Sequence, residues 1–472
     1  MTMNTPTDLR PLFDAQHRAS RAQIDVPLAL RRERLLRVRA LLDAHGSALA
    51  AAVQADFGVR SPQLTEIADL FVLRTLLSHT LKHLPGWMKA QKVSTPIYLL
   101  PSHAYLQRQP LGVVGVISPW NYPVQLALAP AITALAAGNR VMLKPSELTP
   151  RTAALLAELI AQNFAPDEFC LVQGDGALAA AFTALPFDHL VFTGSTATGR
   201  KVAEAAAANL TPTTLELGGK SPCIVDASCD LAGAALKIAH GKLLNAGQTC
   251  IAPDYVLVPE GSETAFGEAY ALAVAQLFPT IAGNPDYAAI ISVRHHERLQ
   301  ALLAQAEGAG ARLQVLNPGG NSADSARQMA PVLVFDTTPA MKLMEEEVFG
   351  PILPVLTYTS LDAAIQYIND RPRPLALYWF GSDNAARDAV LARTVSGGVT
   401  VNDTLMHIAH ENLPFGGVGD SGWGAYHGEA GFLRFTQQKP VLVSSKWARG
   451  DLFYPPYGKR FDQIMGLLKR WL

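Results

Sequence analysis

Cysteine is scarce in this chain: four cysteines in 472 residues do not make a disulfide framework, so a reducing, cytoplasmic location is expected. Charged residues make up only 17% of the chain, below the roughly 25% of typical soluble domains, and the net charge is −1. The net charge therefore gives no overall electrostatic attraction to nucleic acid or to an anionic membrane. Residues 1–13 contain no apolar core of the kind found in signal peptides.

Long hydrophobic runs are also absent. The longest, residues 126–138, is interrupted by Pro130 and is shorter than the ~20 residues that span a bilayer. The strand–helix segment at residues 192–200 does not end in the Gly-Lys-Ser/Thr of a nucleotide triphosphatase loop, which argues against nucleotide triphosphate hydrolysis. The histidines do not cluster with metal-ligand spacing, so no metal site is predicted.

What is present is an alternation of short apolar runs with helical segments, in a chain large enough for about three domains of roughly 150 residues. Buried strands are predicted at residues 113–117, 140–143, 169–172, 189–192, 354–358, 376–381 and 399–402. Such alternation is typical of parallel sheets covered by helices on both faces, so the fold class is α/β with two such units. Ligands bind at the carboxyl ends of the strands in these folds.

The most informative motif is the Gly-Gln-Thr-Cys run that ends at Cys250. It follows a glycine-rich segment that begins with a lone acidic residue, Glu216. A thiol can bond covalently to a carbonyl carbon, and glycine lets the backbone approach a ligand closely. A cysteine with a carboxylate helper is compatible with aldehyde oxidation and with acyl hydrolysis, and these two residues leave both open.

Three further segments follow predicted strands. The amide of Asn121 can donate a hydrogen bond to a developing oxyanion, or it can simply cap the next helix. Lys144 and Glu147 can bind ribose hydroxyls, or form an ordinary solvated loop. Gly194 and Ser195 open a helix whose free amides suit a phosphate, although a plain strand–helix turn has the same pattern.

In combination and in this order, the motifs resemble the aldehyde dehydrogenase superfamily. The similarity is greatest to its class 3 branch and, within that branch, to the bacterial coniferyl aldehyde dehydrogenases. It covers residues 8–445. The supporting motifs are the Pro-Trp-Asn-Tyr-Pro loop around Asn121, Lys-Pro-Ser-Glu from Lys144, Phe-Thr-Gly-Ser ending at Ser195, Glu-Leu-Gly-Gly-Lys from Glu216, Gly-Gln-Thr-Cys, Glu-Glu-Val-Phe-Gly-Pro from Glu346, Pro-Phe-Gly-Gly-Val-Gly from Pro414 and Gly-Ala-Tyr-His-Gly from Gly424.

The resemblance implies a role for each of these residues. Cys250 is the nucleophile that forms a thiohemiacetal and then a thioester, Asn121 holds the oxyanion, and Glu216 activates the hydrolytic water. The cofactor is NAD, with NADP possible. Implied cofactor-binding residues are Lys144, Glu147, Gly194, Ser195, Glu347, Phe349 and Trp120.

The resemblance also implies a division into domains. Residues 1–91 and 114–215 form the NAD(P)-binding domain, and residues 216–404 form the catalytic domain. Residues 92–113 and 405–445 form a bridging arm, for which a strand at 98–107 is predicted. Residues 446–472 form a C-terminal tail. A homodimer is implied.

The substrate is predicted from the apolar and aromatic character of the expected pocket walls. These walls are Tyr122, Leu126, Ile251, Asn402 and His407. A hydrophobic aldehyde is favoured, coniferyl or another aromatic one first and a medium-to-long aliphatic one second. A cysteine acyl hydrolase without redox chemistry is a less favoured alternative, and a non-enzymatic scaffold is disfavoured by the intact Cys250, Glu216 and Asn121.

The tail is predicted to be amphipathic. Its basic residues flank a helical face that either docks on the dimer or makes peripheral contact with a membrane. The residues of this face are Phe461, Ile464, Met465, Leu468, Trp471 and Leu472.

Overall fold

The computed structural model describes residues 4–320 and 327–470. Helices cover two large sheets that are mostly parallel, which confirms the predicted α/β class. The helices are α1 (Pro6–Ala22), α2 (Leu28–Phe57), α3 (Pro62–Thr65), α4 (Val72–Trp87), α5 (Gln125–Ala136), α6 (Pro150–Asn163), α7 (Gly176–Thr183), α8 (Thr196–Ala207), α9 (Leu231–Leu243), α10 (Glu263–Leu277), α11 (Val293–Gly308), α12 (Lys342–Glu345), α13 (Leu361–Asn369), α14 (Asn384–Arg393), α15 (Gly428–Arg434) and α16 (Lys459–Leu468).

Each of the seven predicted strands coincides closely with a strand of the two large sheets: β3, β4, β5, β6, β12, β13 or β14 in the numbering below. The other six strands of these sheets were not predicted. The strands of the whole structure are β1 (Gln91–Val93), β2 (His103–Pro110), β3 (Val113–Ile117), β4 (Arg140–Lys144), β5 (Phe169–Leu171), β6 (His189–Gly194), β7 (Thr213–Leu217), β8 (Pro222–Val225), β9 (Tyr255–Pro259), β10 (Arg312–Val315), β11 (Val332–Phe335), β12 (Ile352–Tyr358), β13 (Ala376–Phe380), β14 (Gly398–Val401), β15 (Gly422–Trp423) and β16 (Thr436–Val443).

The six-stranded sheet has the order β15-β7-β6-β3-β4-β5. All its neighbouring strands are parallel except β15, which pairs antiparallel with β7. Helices α2, α4 and α5 pack on this sheet through one apolar core. Because β3, β4, β6 and β7 are parallel, the segments that follow them meet at one edge of the sheet. Four of the predicted site segments, around Asn121, Lys144, Ser195 and Glu216, lie at or just beyond these strand ends.

The seven-stranded sheet has the order β10-β11-β12-β9-β8-β13-β14. It is parallel apart from its edge strand β10. Its central strands β8 and β13 are buried along their whole length, as expected of a sheet with helices on both faces. The segment that carries Cys250 lies between α9 and β9, and β9 is a strand of this sheet.

A third sheet pairs β1 with β2 and β2 with β16, both antiparallel. The strand predicted at residues 98–107 is partly wrong: a single 3-10 turn covers Ile97–Leu99, and β2 begins only at His103. Pro101 has no backbone N–H to donate to a ladder, which explains why regular pairing begins beyond it. Most residues of this sheet are exposed or half-buried.

The tail forms the helix α16. Four of its predicted apolar-face residues are half-buried: Phe461, Ile464, Met465 and Leu468. The ring of Tyr457 packs on that of Phe461, with centroids 5.0 Å apart. Trp471 and Leu472, the other two predicted members of the face, lie outside the described residues. Across residues 4–320 and 327–470, no helix is long and apolar enough to cross a membrane.

Candidate active site

Cys250 follows a tight turn at the end of α9. Asn245 and Ala246 have left-handed backbones, with φ values of 50° and 53°, and Gly247 has a φ of 78°. A side chain at Gly247 would overlap the carbonyl of Gly350, so glycine is required there both for its conformation and for the close approach. Strain of this kind is typical of functional sites, and here it fixes the backbone that presents the thiol.

The loop after β3 contacts the cysteine loop directly. The side-chain amide of Asn121 donates to the carbonyl of Gln248, with 3.1 Å between nitrogen and oxygen. The neighbouring hydroxyls of Tyr122 and Thr249 share a hydrogen bond of 2.6 Å. Asn121 therefore lies beside the residues that immediately precede Cys250, and the bond to Gln248 uses one of the two hydrogens of its amide.

The other side of the cysteine loop is held by the seven-stranded sheet. The hydroxyl of Tyr378, on β13, donates to the carbonyl of Ile251 over 2.5 Å. Sequence reasoning did not select Tyr378. A tyrosine inside an otherwise apolar strand was the available signal, since a buried phenol normally finds an acceptor.

Glu216 lies on β7, opposite Gly422 of β15, and is only 3% exposed. Neither carboxylate oxygen has a hydrogen-bond partner among the described residues. Burial raises the pKa of this carboxyl well above its ordinary value. An unpartnered buried carboxylate has a high affinity for a proton, which is the property needed in a general base.

The thiol of Cys250 is half-buried and holds its proton tightly. Burial, followed by the negative charges of Glu347 and Glu216, raises its pKa to about 12. Both carboxylates therefore lie close enough to influence the thiol electrostatically. Because the thiolate is the nucleophile, loss of this proton is a required step of any reaction at Cys250.

Two of the residues implied to bind the cofactor, Glu347 and Phe349, flank the site. The Glu347 carboxylate lies against Gly218, where any side chain would overlap it. Burial and the charge of Asp254 raise the pKa of Glu347 to about 8. Phe349 has a left-handed backbone with a φ of 50°, and its ring meets that of Trp120 edge-on, with 5.4 Å between centroids.

The residues predicted to bind a ribose and a phosphate of the cofactor lie at the edge of the six-stranded sheet. The ammonium of Lys144 is buried and lies 3.2 Å from the exposed carboxylate of Glu147. Gly194 ends β6, and Ser195 is the exposed N-cap of α8, where its hydroxyl accepts from the amide of Thr198. A helix N-terminus with exposed amides suits a phosphate group.

The predicted pocket residues are distributed unevenly. Tyr122 and Ile251 are buried and adjoin the cysteine loop, and Leu126 is buried in the first turn of α5. Asn402 is exposed, and its side chain forms two hydrogen bonds, of 2.8 and 2.9 Å, with the backbone of Gly381. Its side chain is therefore already engaged in joining the ends of β13 and β14.

His407 is buried and shares a hydrogen bond of 2.8 Å with Thr400. Its ring stacks on Phe415, which in turn packs on His427. Burial lowers the pKa of both histidines to about 4, so they are neutral near pH 7. Neither ring nitrogen of His427 has a partner within the described part of the chain. Within residues 4–320 and 327–470, no group of three or more potential ligands is arranged to hold a metal ion.

The chain is similar to known proteins over most of its length. The model of the aldehyde dehydrogenase family matches residues 1–441. A coniferyl aldehyde dehydrogenase of a Pseudomonas species is 46% identical over 470 residues, covering 98% of this chain and 97% of that protein. The mouse aldehyde dehydrogenase family 3 member A2 is 41% identical over 435 residues, covering 91% of this chain and 88% of that protein.

A solved structure has the same fold over almost the whole chain. It is described as the substrate-bound state of Staphylococcus aureus AldH and superposes with a TM-score of 0.92 at 37% sequence identity. The superposition covers 99% of this chain and 100% of that one. The likeness therefore extends over both large sheets and the third sheet together.

Proposed function

The chain belongs to the aldehyde dehydrogenase family, and we propose that it oxidises a hydrophobic aromatic aldehyde, with coniferyl aldehyde as the first candidate, to the carboxylic acid. The protein is an oxidoreductase whose family uses NAD or NADP. The observation that carries the mechanism is the hydrogen bond from Asn121 to Gln248, two residues before Cys250. It brings an oxyanion donor close to the thiol loop, and the carboxylate of Glu216 lies near enough to Cys250 to raise the pKa of the thiol.

In the proposed reaction, the Cys250 thiolate attacks the aldehyde carbon and forms a thiohemiacetal. The oxyanion that develops accepts a hydrogen bond from the other amide hydrogen of Asn121. After loss of hydride the carbon is left as a thioester on Cys250. The thiol first releases its proton to water, and this step is costly because burial raises the pKa of Cys250 to about 12.

Glu216 completes the cycle by taking a proton from the water that attacks the thioester. Its carboxylate has no competing donor among the described residues, so a water molecule can occupy its oxygens. Because burial raises the pKa of Glu216, it binds the proton of that water more strongly than an exposed carboxylate would. The acid product is then released and Cys250 is regenerated.

The residues around the site fit a nicotinamide dinucleotide. The exposed N-terminus of α8 suits the pyrophosphate, and the Lys144–Glu147 pair suits a ribose. The absence of a side chain at Gly218 leaves the Glu347 carboxylate room beside the glycine backbone. When bound, the cofactor supplies the hydride acceptor. We propose NAD as the preferred form, because the exposed carboxylate of Glu147 would repel a 2′-phosphate, with NADP also accepted.

The aromatic substrate is supported by the apolar and aromatic residues that adjoin the cysteine loop and by the name of the Pseudomonas relative. Buried Tyr122 and Ile251 are apolar residues that adjoin Cys250 in the cysteine loop or through Thr249, and buried Leu126 stays a proposal as a pocket residue. Asn402 and His407 stay proposals as pocket residues, and Asn402 is the weaker because its side chain already binds Gly381.

The experiment measures NADH or NADPH formation with coniferyl aldehyde, benzaldehyde, hexanal, dodecanal and acetaldehyde, using NAD and NADP in parallel. The highest kcat/KM is expected with coniferyl aldehyde and NAD. A steady rise along the aliphatic series would favour the aliphatic alternative instead. Ester hydrolysis with no cofactor-dependent aldehyde oxidation would identify a cysteine acyl hydrolase and contradict the proposal.

We further propose the domain division given by the resemblance. Strands of residues 113–217 form one sheet together with the short β15, and strands of residues 222–401 form the other, which supports it. The division at residue 216 would fall inside β7, which ends at Leu217.

A homodimer is proposed through the third sheet, which leaves Val93, Leu442 and Val443 at least 39% exposed. Four free cysteines support a cytoplasmic location. The half-buried apolar face of α16 favours docking on protein over peripheral membrane contact, which stays the alternative.

A further inference from the structure

A buried ion pair lies next to the oxyanion loop. Arg60 and Asp69 are both 0% exposed, and the guanidinium Nη2 lies 2.7 Å from the Asp69 Oδ2. Burying two charges costs several kcal/mol per ion, and the attraction within such a pair commonly does no more than offset that cost. The pair is therefore weak as a source of stability, and what it contacts is more informative.

Arg60 holds the backbone of Asn121. Its Nη1 donates to the Asn121 carbonyl over 2.6 Å and to the side-chain oxygen of Asn245 over 3.2 Å. The side-chain amide of Asn245 donates to the same Asn121 carbonyl over 3.0 Å. Because Asn245 belongs to the strained turn before Cys250, Arg60 links the oxyanion residue to the nucleophile loop.

Asp69 holds the other end of the same loop. Its Oδ1 accepts from the amides of Val124 and Gln125, over 3.1 and 2.9 Å, at the start of α5. Asn121 and the start of α5 are therefore held by the same ion pair, with only Tyr122 and Pro123 between them. Asp69 itself lies in a π-helical turn, Glu66–Phe71, between α3 and α4. Turns of this kind are rare in proteins, but those that occur are often found at functional sites.

We propose that Arg60 and Asp69 are positioning residues that hold the Asn121 amide where it can donate to the oxyanion formed at Cys250. The proposal rests on the proposed function. Arg60 also lies over the ring of Tyr122, with 5.1 Å to the centroid, which further limits movement of the loop. The guanidinium is required because one planar fork binds Asn121, Asn245 and Asp69 at once, whereas a lysine ammonium is a single point charge.

The test is a double-mutant cycle of Arg60→Lys and Asn121→Ala. The readout is the burst of nitrophenol released when 4-nitrophenyl acetate acylates Cys250, which needs an oxyanion donor but no cofactor. Loss of one oxyanion donor costs about 100-fold in rate or more, so Asn121→Ala is expected to lower acylation by about that factor. Arg60→Lys alone should lower the rate of acylation by at least about 10-fold. In the Asn121→Ala background the same substitution should lower that rate by less than about 2-fold.

Two controls separate positioning from general destabilisation. Arg34→Lys changes another buried pair, Arg34 with Glu168 at 2.7 Å, and is expected to leave acylation unchanged at a similar loss of melting temperature. Alkylation of Cys250 by iodoacetamide forms no oxyanion and should be equally fast in wild type and Arg60→Lys. If Arg60→Lys does not fold, Asp69→Asn takes its place in the cycle, since it keeps the shape and loses the charge.

The proposal is overturned if the effect of Arg60→Lys is as large without the Asn121 amide as with it. An equal fall in acylation in Arg34→Lys would overturn it too. Failure of the proposed function would give a different result: the wild-type protein would be acylated at Cys250 normally but would oxidise no aldehyde.

Discussion

Replacing Glu216 with glutamine removes the proposed base while keeping the shape of the side chain. The carboxylate oxygens have no partner among the residues that the structure describes, so the substitution breaks no hydrogen bond seen there. Attack on the aldehyde and hydride loss do not use this residue in the proposed mechanism. We therefore expect the thioester to form at nearly the wild-type rate and to hydrolyse about 100- to 10,000-fold more slowly, the usual contribution of a general base.

The assay is stopped-flow measurement of NADH with the best aldehyde substrate. Glu216→Gln should give a burst of about one NADH per active site, followed by a very slow steady state. Normally folded protein that gives no burst would show that Glu216 acts before deacylation, and steady turnover at the wild-type rate would show that it is not the base.

The same substitution has a consequence for stability that depends on pH. Since burial raises the pKa of Glu216, the folded state holds this proton more tightly than the unfolded chain does. The resulting stabilisation is complete below the ordinary pKa of 4.5 and is lost as the pH rises toward the folded pKa. The side chain of glutamine does not titrate, so the stability of Glu216→Gln does not change with pH in this way.

As the pH rises through that window, the free energy of unfolding of the wild type should fall relative to that of Glu216→Gln. The expected difference grows by about 1.4 kcal/mol per pH unit. Urea denaturation of both proteins from pH 5 to pH 7 measures this difference. A difference that does not change with pH would contradict the inference that the carboxyl is buried without a partner.

Three other predictions address the thiol and the cofactor site. Cys250→Ala should abolish aldehyde oxidation and leave NAD binding and the melting temperature unchanged, whereas the buried Cys223, replaced by alanine, should leave oxidation intact. The rate of alkylation of Cys250 by iodoacetamide without cofactor should rise about tenfold per pH unit up to pH 10, because burial raises the pKa of the thiol to about 12. A rate that reaches a plateau below pH 9 would contradict this prediction. Gly218→Ala should weaken NAD binding in a fluorescence titration, because the new methyl group displaces Glu347; unchanged binding would mean that Glu347 does not contact the cofactor.

Seven of the thirteen strands in the two large sheets were predicted from the sequence, because most of them are buried and therefore appear as continuous apolar runs. Strands β7, β8, β9, β10, β11 and β15 were not predicted. The strand predicted at residues 113–117 coincides with β3. The prediction for residues 98–107 was partly wrong because this segment is exposed, so its pattern reflects no core, and Pro101 delays pairing until His103.

The motifs could identify Asn121, Glu216 and Cys250 as candidates, but they could not show what holds them in place. Arg60 and Asp69 have no glycine-rich or patterned surroundings, and their importance depends on contacts with residues far along the chain. One clue was local: Asp69 interrupts the apolar run of Ala68, Leu70 and Phe71, and a carboxylate in such a run is rarely buried without a partner. The partner itself becomes apparent only when the fold brings the π turn, the oxyanion loop and the cysteine loop to one point. Residues that perform chemistry are thus marked by their neighbours in sequence, whereas residues that position them are marked only by their neighbours in space.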